Sequence, residues 1–79
     1  MTKEQRRNWN TEIVAGLSAM YDFNFLPFTV YHLRINIHGK KLDYYPQSGK
    51  ACWTGTNSWF VIPDIEKFLD DRFKTKRLK

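Results

Sequence analysis

The stretch "TVYHLRINIHGKKLDYYPQSGKACW", Thr29 to Trp53, decides the fold. Residues Val30 to His38 alternate. Tyr31, Leu33, Ile35 and Ile37 fall on one side, and Val30, His32, Arg34, Asn36 and His38 on the other. Period two with β-branched and aromatic residues describes a strand with one buried face. "HGKK" follows, and Gly39 suits the first position of a two-residue type II′ turn over Gly39-Lys40. With that turn Ile37 opposes Leu42, Ile35 opposes Tyr44 and Leu33 opposes Pro46. On the other face His38 meets Lys41, Asn36 meets Asp43 and Arg34 meets Tyr45. A one-residue slip would mix the two faces. "PQSGK" is a second turn with Ser48-Gly49 at its tip. It sets Tyr44 opposite Trp53 as a buried aromatic pair and Tyr45 opposite Cys52. Pro46 belongs near a strand end, where no ladder amide is required.

Helices flank this region. Upstream, Trp9, Ile13, Val14, Leu17, Met20 and Tyr21 recur at helical spacing from Thr2 to about Tyr21. "TKEQ" has the form of a capping box, with Thr2 and Gln5 satisfying each other's amides. Asn8 and Asn10 are rival caps, and Gly16 weakens the helix interior. "DFNFLPF" reads as an apolar connection stiffened by Pro27. Downstream, "TGTN" is a turn and "SWFVI" a short last strand or an extended lead into a helix. In "PDIEKFLDDRFK", Ile65, Phe68, Leu69 and Phe73 form an apolar stripe behind the helix-starting pair Pro63 and Asp64. Asp70 with Lys74 and Lys67 with Asp71 are spaced for mutual support. Residues 75–79 read as a frayed basic tail. The expected fold is a single α+β domain, α-β-β-β-α, with a three-stranded antiparallel sheet, room for a short fourth strand, and both helices on one face.

Seventy-nine residues suffice for one modest core, burying roughly 60% of the unfolded surface. Thirteen Lys and Arg against eight Asp and Glu give a net charge of +5. That favours an anionic partner and argues against an acidic DNA mimic. The single cysteine, Cys52, permits no internal disulfide and fits a reducing compartment. The N-terminus lacks the apolar core of a signal peptide, and no apolar run approaches a membrane span. A cytoplasmic protein with no membrane partner is expected.

"LDYYPQSGKACW", Leu42 to Trp53, resembles a motif of small phage and prophage proteins, roughly D-[FY]-[WY]-P-x-[ST]-G-K-x-W. Asp43, Tyr44, Tyr45, Pro46, Ser48, Gly49, Lys50 and Trp53 match, with one extra residue before the tryptophan. The resemblance covers a third of the chain and implies a phage or mobile-element accessory protein, acting in an infected or lysogenic bacterial cell. The expected topology is also similar to double-stranded-RNA-binding domains and to HicA-type mRNA interferase toxins. This chain lacks the toxins' Gly-Ser-His signature, and its last helix starts with acidic rather than lysine-rich residues.

The sequence holds no metal-ligand spacing, no phosphate-cradling glycine loop and no catalytic arrangement, so no cofactor and no catalytic residue are expected. His32 and His38 lie ~20 Å apart at about 3.3 Å per residue, too far to share a metal. Asp43 reads as a cross-strand partner of Asn36, and Cys52 as a small sheet residue. Trp9, Trp53 and Trp59 read as core. The expected binding residues are Arg34, Tyr45, Lys41, His32, His38 and Lys50 on the solvent face, with Lys3, Arg6 and Arg7 at the basic start of the first helix. Arg34 beside Tyr45 combines a cation with an exposed ring. The leading expectation is a non-enzymatic accessory protein that binds a host protein or nucleoprotein complex, with counter-defence such as anti-CRISPR or anti-restriction action included. Direct nucleic-acid binding through the basic sheet face is the alternative. An RNA-cleaving toxin using His32 is a third reading.

Overall fold

The computed structural model describes residues 2–77, with side chains through residue 73. The order is α1 (Lys3–Tyr21), β1 (Phe25–Thr29), β2 (His32–Ile37), β3 (Lys40–Tyr44), β4 (Lys50–Trp53), β5 (Trp59–Val61) and α2 (Ile65–Arg77). All pairings are antiparallel, and the sheet runs in chain order from β1 to β5. The helix–sheet–helix layout is the expected one, but the sheet has five strands rather than three or four. The strand missed by sequence is β1. Its central Pro27 makes "FLPFT" read as a connection, yet β1 is an edge strand, where a missing N–H costs no ladder bond. Tyr31 consequently sits in the β1–β2 turn, 53% exposed, and not on the core face.

Both hairpins differ from the expected register by two residues. In the first, Leu33 pairs with Tyr44, Arg34 with Asp43, Ile35 with Leu42 and Asn36 with Lys41. The turn is His38-Gly39, both with positive φ (53° and 87°), the type I′ conformation that matches strand twist. Histidine tolerates this region better than most residues. Asn36 Oδ1 accepts the Gly39 N–H at 3.0 Å and secures the turn. In the second hairpin, Leu42 pairs with Trp53, Asp43 with Cys52 and Tyr44 with Ala51. Its loop is an α-turn closed by the Gly49 N–H donating to the Tyr45 carbonyl at 2.8 Å. A two-residue error keeps every side chain on its face, because the strand period is two. Within the paired strands the faces are therefore the expected ones, while the cross-strand neighbours differ, and Tyr31 and His38 leave their expected faces for the turns.

One sheet face packs under the helices. Leu33, Ile35, Ile37, Leu42, Tyr44 and Ala51 meet Val14 and Leu17 of α1 and Ile65, Leu69 and Phe73 of α2. Each fully buried leucine or isoleucine contributes about 1.5–3 kcal/mol. Of the expected α1 stripe, Trp9 and Met20 face solvent, 57% and 56% exposed. The helix ends are well built. Thr2 and Gln5 form the capping box, with bonds of 3.1 and 2.9 Å. Asp64 Oδ1 caps α2 through the Lys67 N–H. The Tyr21 hydroxyl donates to Asp70 at 2.6 Å and ties the helices together. Helix α2 continues to Arg77 through most of the expected tail, whose last two residues lie outside the described residues.

Candidate functional site

The opposite sheet face carries no helix. Its aromatic side chains form a row across the strands. Phe28 of β1 meets His32 of β2 with ring centroids 5.2 Å apart. His32 stacks on Tyr45, just after β3, at 4.7 Å and 13°. Tyr45 meets Trp59 of β5 at 5.6 Å and 48°. The ends of the row are open: Phe28 is 47% and Trp59 56% exposed, with Leu26 and Val61 beside them at 53% and 62%.

A polar hub underlies the row. Asp43 Oδ1 accepts from Arg34 Nε at 2.8 Å and lies 3.0 Å from His32 Nε2. Asp43 Oδ2 accepts from the Thr54 hydroxyl at 3.2 Å. Burial alone would raise the Asp43 pKa. The hydrogen bonds from Arg34 and His32 and the Arg34 charge outweigh it and hold the carboxyl below its ordinary value. Arg34 also covers the Phe28 ring at 4.6 Å. The hub fixes the His32 ring, and His32 in turn braces Tyr45.

Charge is divided between the two layers. The strands hold Arg34, Lys40, Lys41 and Lys50 against one acidic residue, Asp43. The other seven of the chain's eight acidic residues lie in the helices or at their caps. The helices also hold eight Lys and Arg, so they are nearly balanced at +1, and the strands, at +3, are the more strongly cationic layer.

The structure brings together Arg34, His32, Tyr45 and Lys50 of the residues expected to bind. Lys41 is exposed further along β3, beside an open cleft with Trp53 and Thr54. Arg34 opposes Asp43, not Tyr45, and Asp43 is not the partner of Asn36. His38 is turned away from this face. Its Nε2 lies 3.1 Å from the Arg72 carbonyl, and its ring meets Phe73 at 4.8 Å. Lys3, Arg6 and Arg7 belong to α1, in the helical layer. Arg7 is already engaged there, over the Tyr31 ring at 4.8 Å and 3.4 Å from Gln47 Oε1. Sequence reasoning missed Phe28 and Trp59. Trp59 was assigned to the core, but alternation in "WFV" puts Phe60 inward and Trp59 and Val61 outward. That alternation was available before the structure.

The motif residues have mainly architectural work. Tyr44 is core, and burial raises its phenol well above the ordinary value. The Pro46 carbonyl accepts from Asn10 of α1 at 2.9 Å. Gly49 takes φ +80°, and a Cβ there would lie 3.0 Å from the Ile62 carbonyl. Cys52 is buried, with its thiol 3.1 Å from the Thr56 carbonyl. Among the described residues no cluster of His, Cys, Asp or Glu could hold a metal ion, and no helix is long and apolar enough to cross a membrane. No family model, no curated protein and no solved structure matches the chain.

Proposed function

We propose that this protein is a non-enzymatic binding module that takes single-stranded nucleic acid on its open sheet face. The observation that carries the reading is the aromatic row from Phe28 to Trp59 on the cationic layer. Rings on an uncovered sheet stack unpaired bases, and neighbouring cations hold the phosphates. Arg34 and Lys50 flank the row as those cations. The face spans about 19 Å from β1 to β5 at ~4.8 Å per strand, room for a few splayed bases. The resemblance of Asp43 to Trp53 to phage proteins supports a phage-type accessory role. In an infected cell such a face would engage a nucleoprotein complex through its exposed nucleic acid.

A host-protein partner is the second reading. It is favoured by the exposed Leu26, Val30 and Tyr31 at the β1 edge and its turn. Salt separates the two. Phosphate contacts make affinity fall steeply with ionic strength, whereas a packed protein interface depends on it weakly. The test is anisotropy titration of labelled single-stranded oligonucleotides at several salt concentrations, alongside capture from bacterial lysate with and without nuclease. Absence of oligonucleotide binding at low salt, with nuclease-resistant capture of a protein, would overturn the leading reading.

A further inference from the structure

At the β5 end of the row lies an open cleft of about 640 Å³, lined by Tyr45, Ser48, Lys50, Trp59, Phe60 and Val61. Lys50 and Val61 are cross-strand partners, so an ammonium and an aliphatic wall stand side by side. Among the described residues the Lys50 ammonium, the Tyr45 hydroxyl and the Trp59 indole N–H have no hydrogen-bond partner. No carboxylate lines the cleft. An apolar concavity with a few unengaged donors is the usual form of a small-ligand site, and this donor set calls for an anion attached to a flat ring.

We infer that this cleft is a single-nucleotide pocket, which anchors one base and its phosphate at the end of a bound strand. The inference rests on the sheet-face reading above and adds the anchor point. The 5.6 Å between the Tyr45 and Trp59 centroids is too short for a base between them, since each stacked layer needs about 3.5 Å. The base therefore lies against the exposed side of Trp59, with Val61 as a wall, and Lys50 meets the phosphate. Held from one side, the base is read weakly. The pocket discriminates nucleotide from nucleoside more than one base from another.

The test uses the full chain carrying Trp9→Phe, which removes the other exposed indole, and an oligothymidylate of about 10 nucleotides. Binding should quench Trp59 fluorescence. Trp59→Ala should weaken binding by about 5- to 150-fold, the range for loss of one stacked base, and Trp59→Phe should retain most of the affinity. Lys50→Ala should lower the salt slope by about one. Val61→Glu, at a surface position, should abolish quenching through charge repulsion. Thymidine 5′-monophosphate should compete better than thymidine. If the oligonucleotide binds through Phe28 and Arg34 but is indifferent to Trp59→Ala, Lys50→Ala and Val61→Glu, the pocket is refuted and the sheet reading stands. If the unsubstituted sheet binds no oligonucleotide, both fall together.

Discussion

Asp43 accepts three hydrogen-bond donors with two oxygens, and its side chain is only 16% exposed. It therefore contributes to stability as well as to the shape of the open face. Its carboxyl titrates below the ordinary 3.8 in the folded protein, because the bonds from Arg34 and His32 outweigh the cost of burial. A folded pKa below the unfolded one stabilises the protein above about pH 4, and the gain disappears as pH falls through the folded value. Asp43→Asn should cost about 1–2 kcal/mol near neutrality, since charged hydrogen bonds are weakened. Urea melts of both proteins should differ at about pH 6, and the difference should shrink steadily as the pH falls below about 4. A constant difference across that range would assign the loss to packing instead. Asp43 also marks where sequence reasoning stopped at this scale. Its face was legible from alternation, but its partners needed the register, and a two-residue offset replaced Arg34 with Asn36.

Turns and helix stripes separate into interchangeable and demanding parts. Gly39 and Gly49 both take positive φ, but only at Gly49 would a side chain strike backbone. Each Gly→Ala change should destabilise through conformation. Gly49→Ala should cost clearly more, by about 1 kcal/mol or above, because the Ile62 carbonyl would have to move. Thermal melts of the two variants rank them directly; equal shifts would mean that the β4–β5 edge yields freely. In α2 the stripe was readable from spacing, and within it depth is unequal. Leu69 is fully buried, whereas Phe68 is half-exposed, 6.3 Å from Phe60 and under Arg72. Leu69→Ala should therefore cost about 2–5 kcal/mol, and Phe68→Ala less. Chemical denaturation that found Phe68 the costlier would show α2 rotated from the orientation described. The strand β1 escaped notice because a central proline contradicts strand propensity; only its edge position resolves the conflict.

At the scale of the molecule, the helical layer carries nearly balanced charge and the sheet layer is cationic and ringed. This division predicts orientation during encounter, because the sheet side attracts polyanions before contact. Arg34→Ala and Lys50→Ala together should flatten the salt dependence of oligonucleotide binding by about two phosphate contacts. Lys3→Ala and Arg6→Ala, in the helical layer, should leave the slope unchanged. Equal effects from both pairs would indicate diffuse attraction with no defined face. Net charge was plain in the sequence, but its sorting was not, since that depends on which elements share a layer. The strand order has a kinetic consequence as well. Each strand pairs with its neighbour along the chain, so the sheet can form by successive short loop closures with little entropic cost each. The contact between α1 and α2, across the full chain, is the one that must wait. Folding should then be rapid for a protein so rich in sheet. Variants at the Tyr21–Asp70 bond should accelerate unfolding while hardly slowing folding, the pattern of a contact made after the barrier.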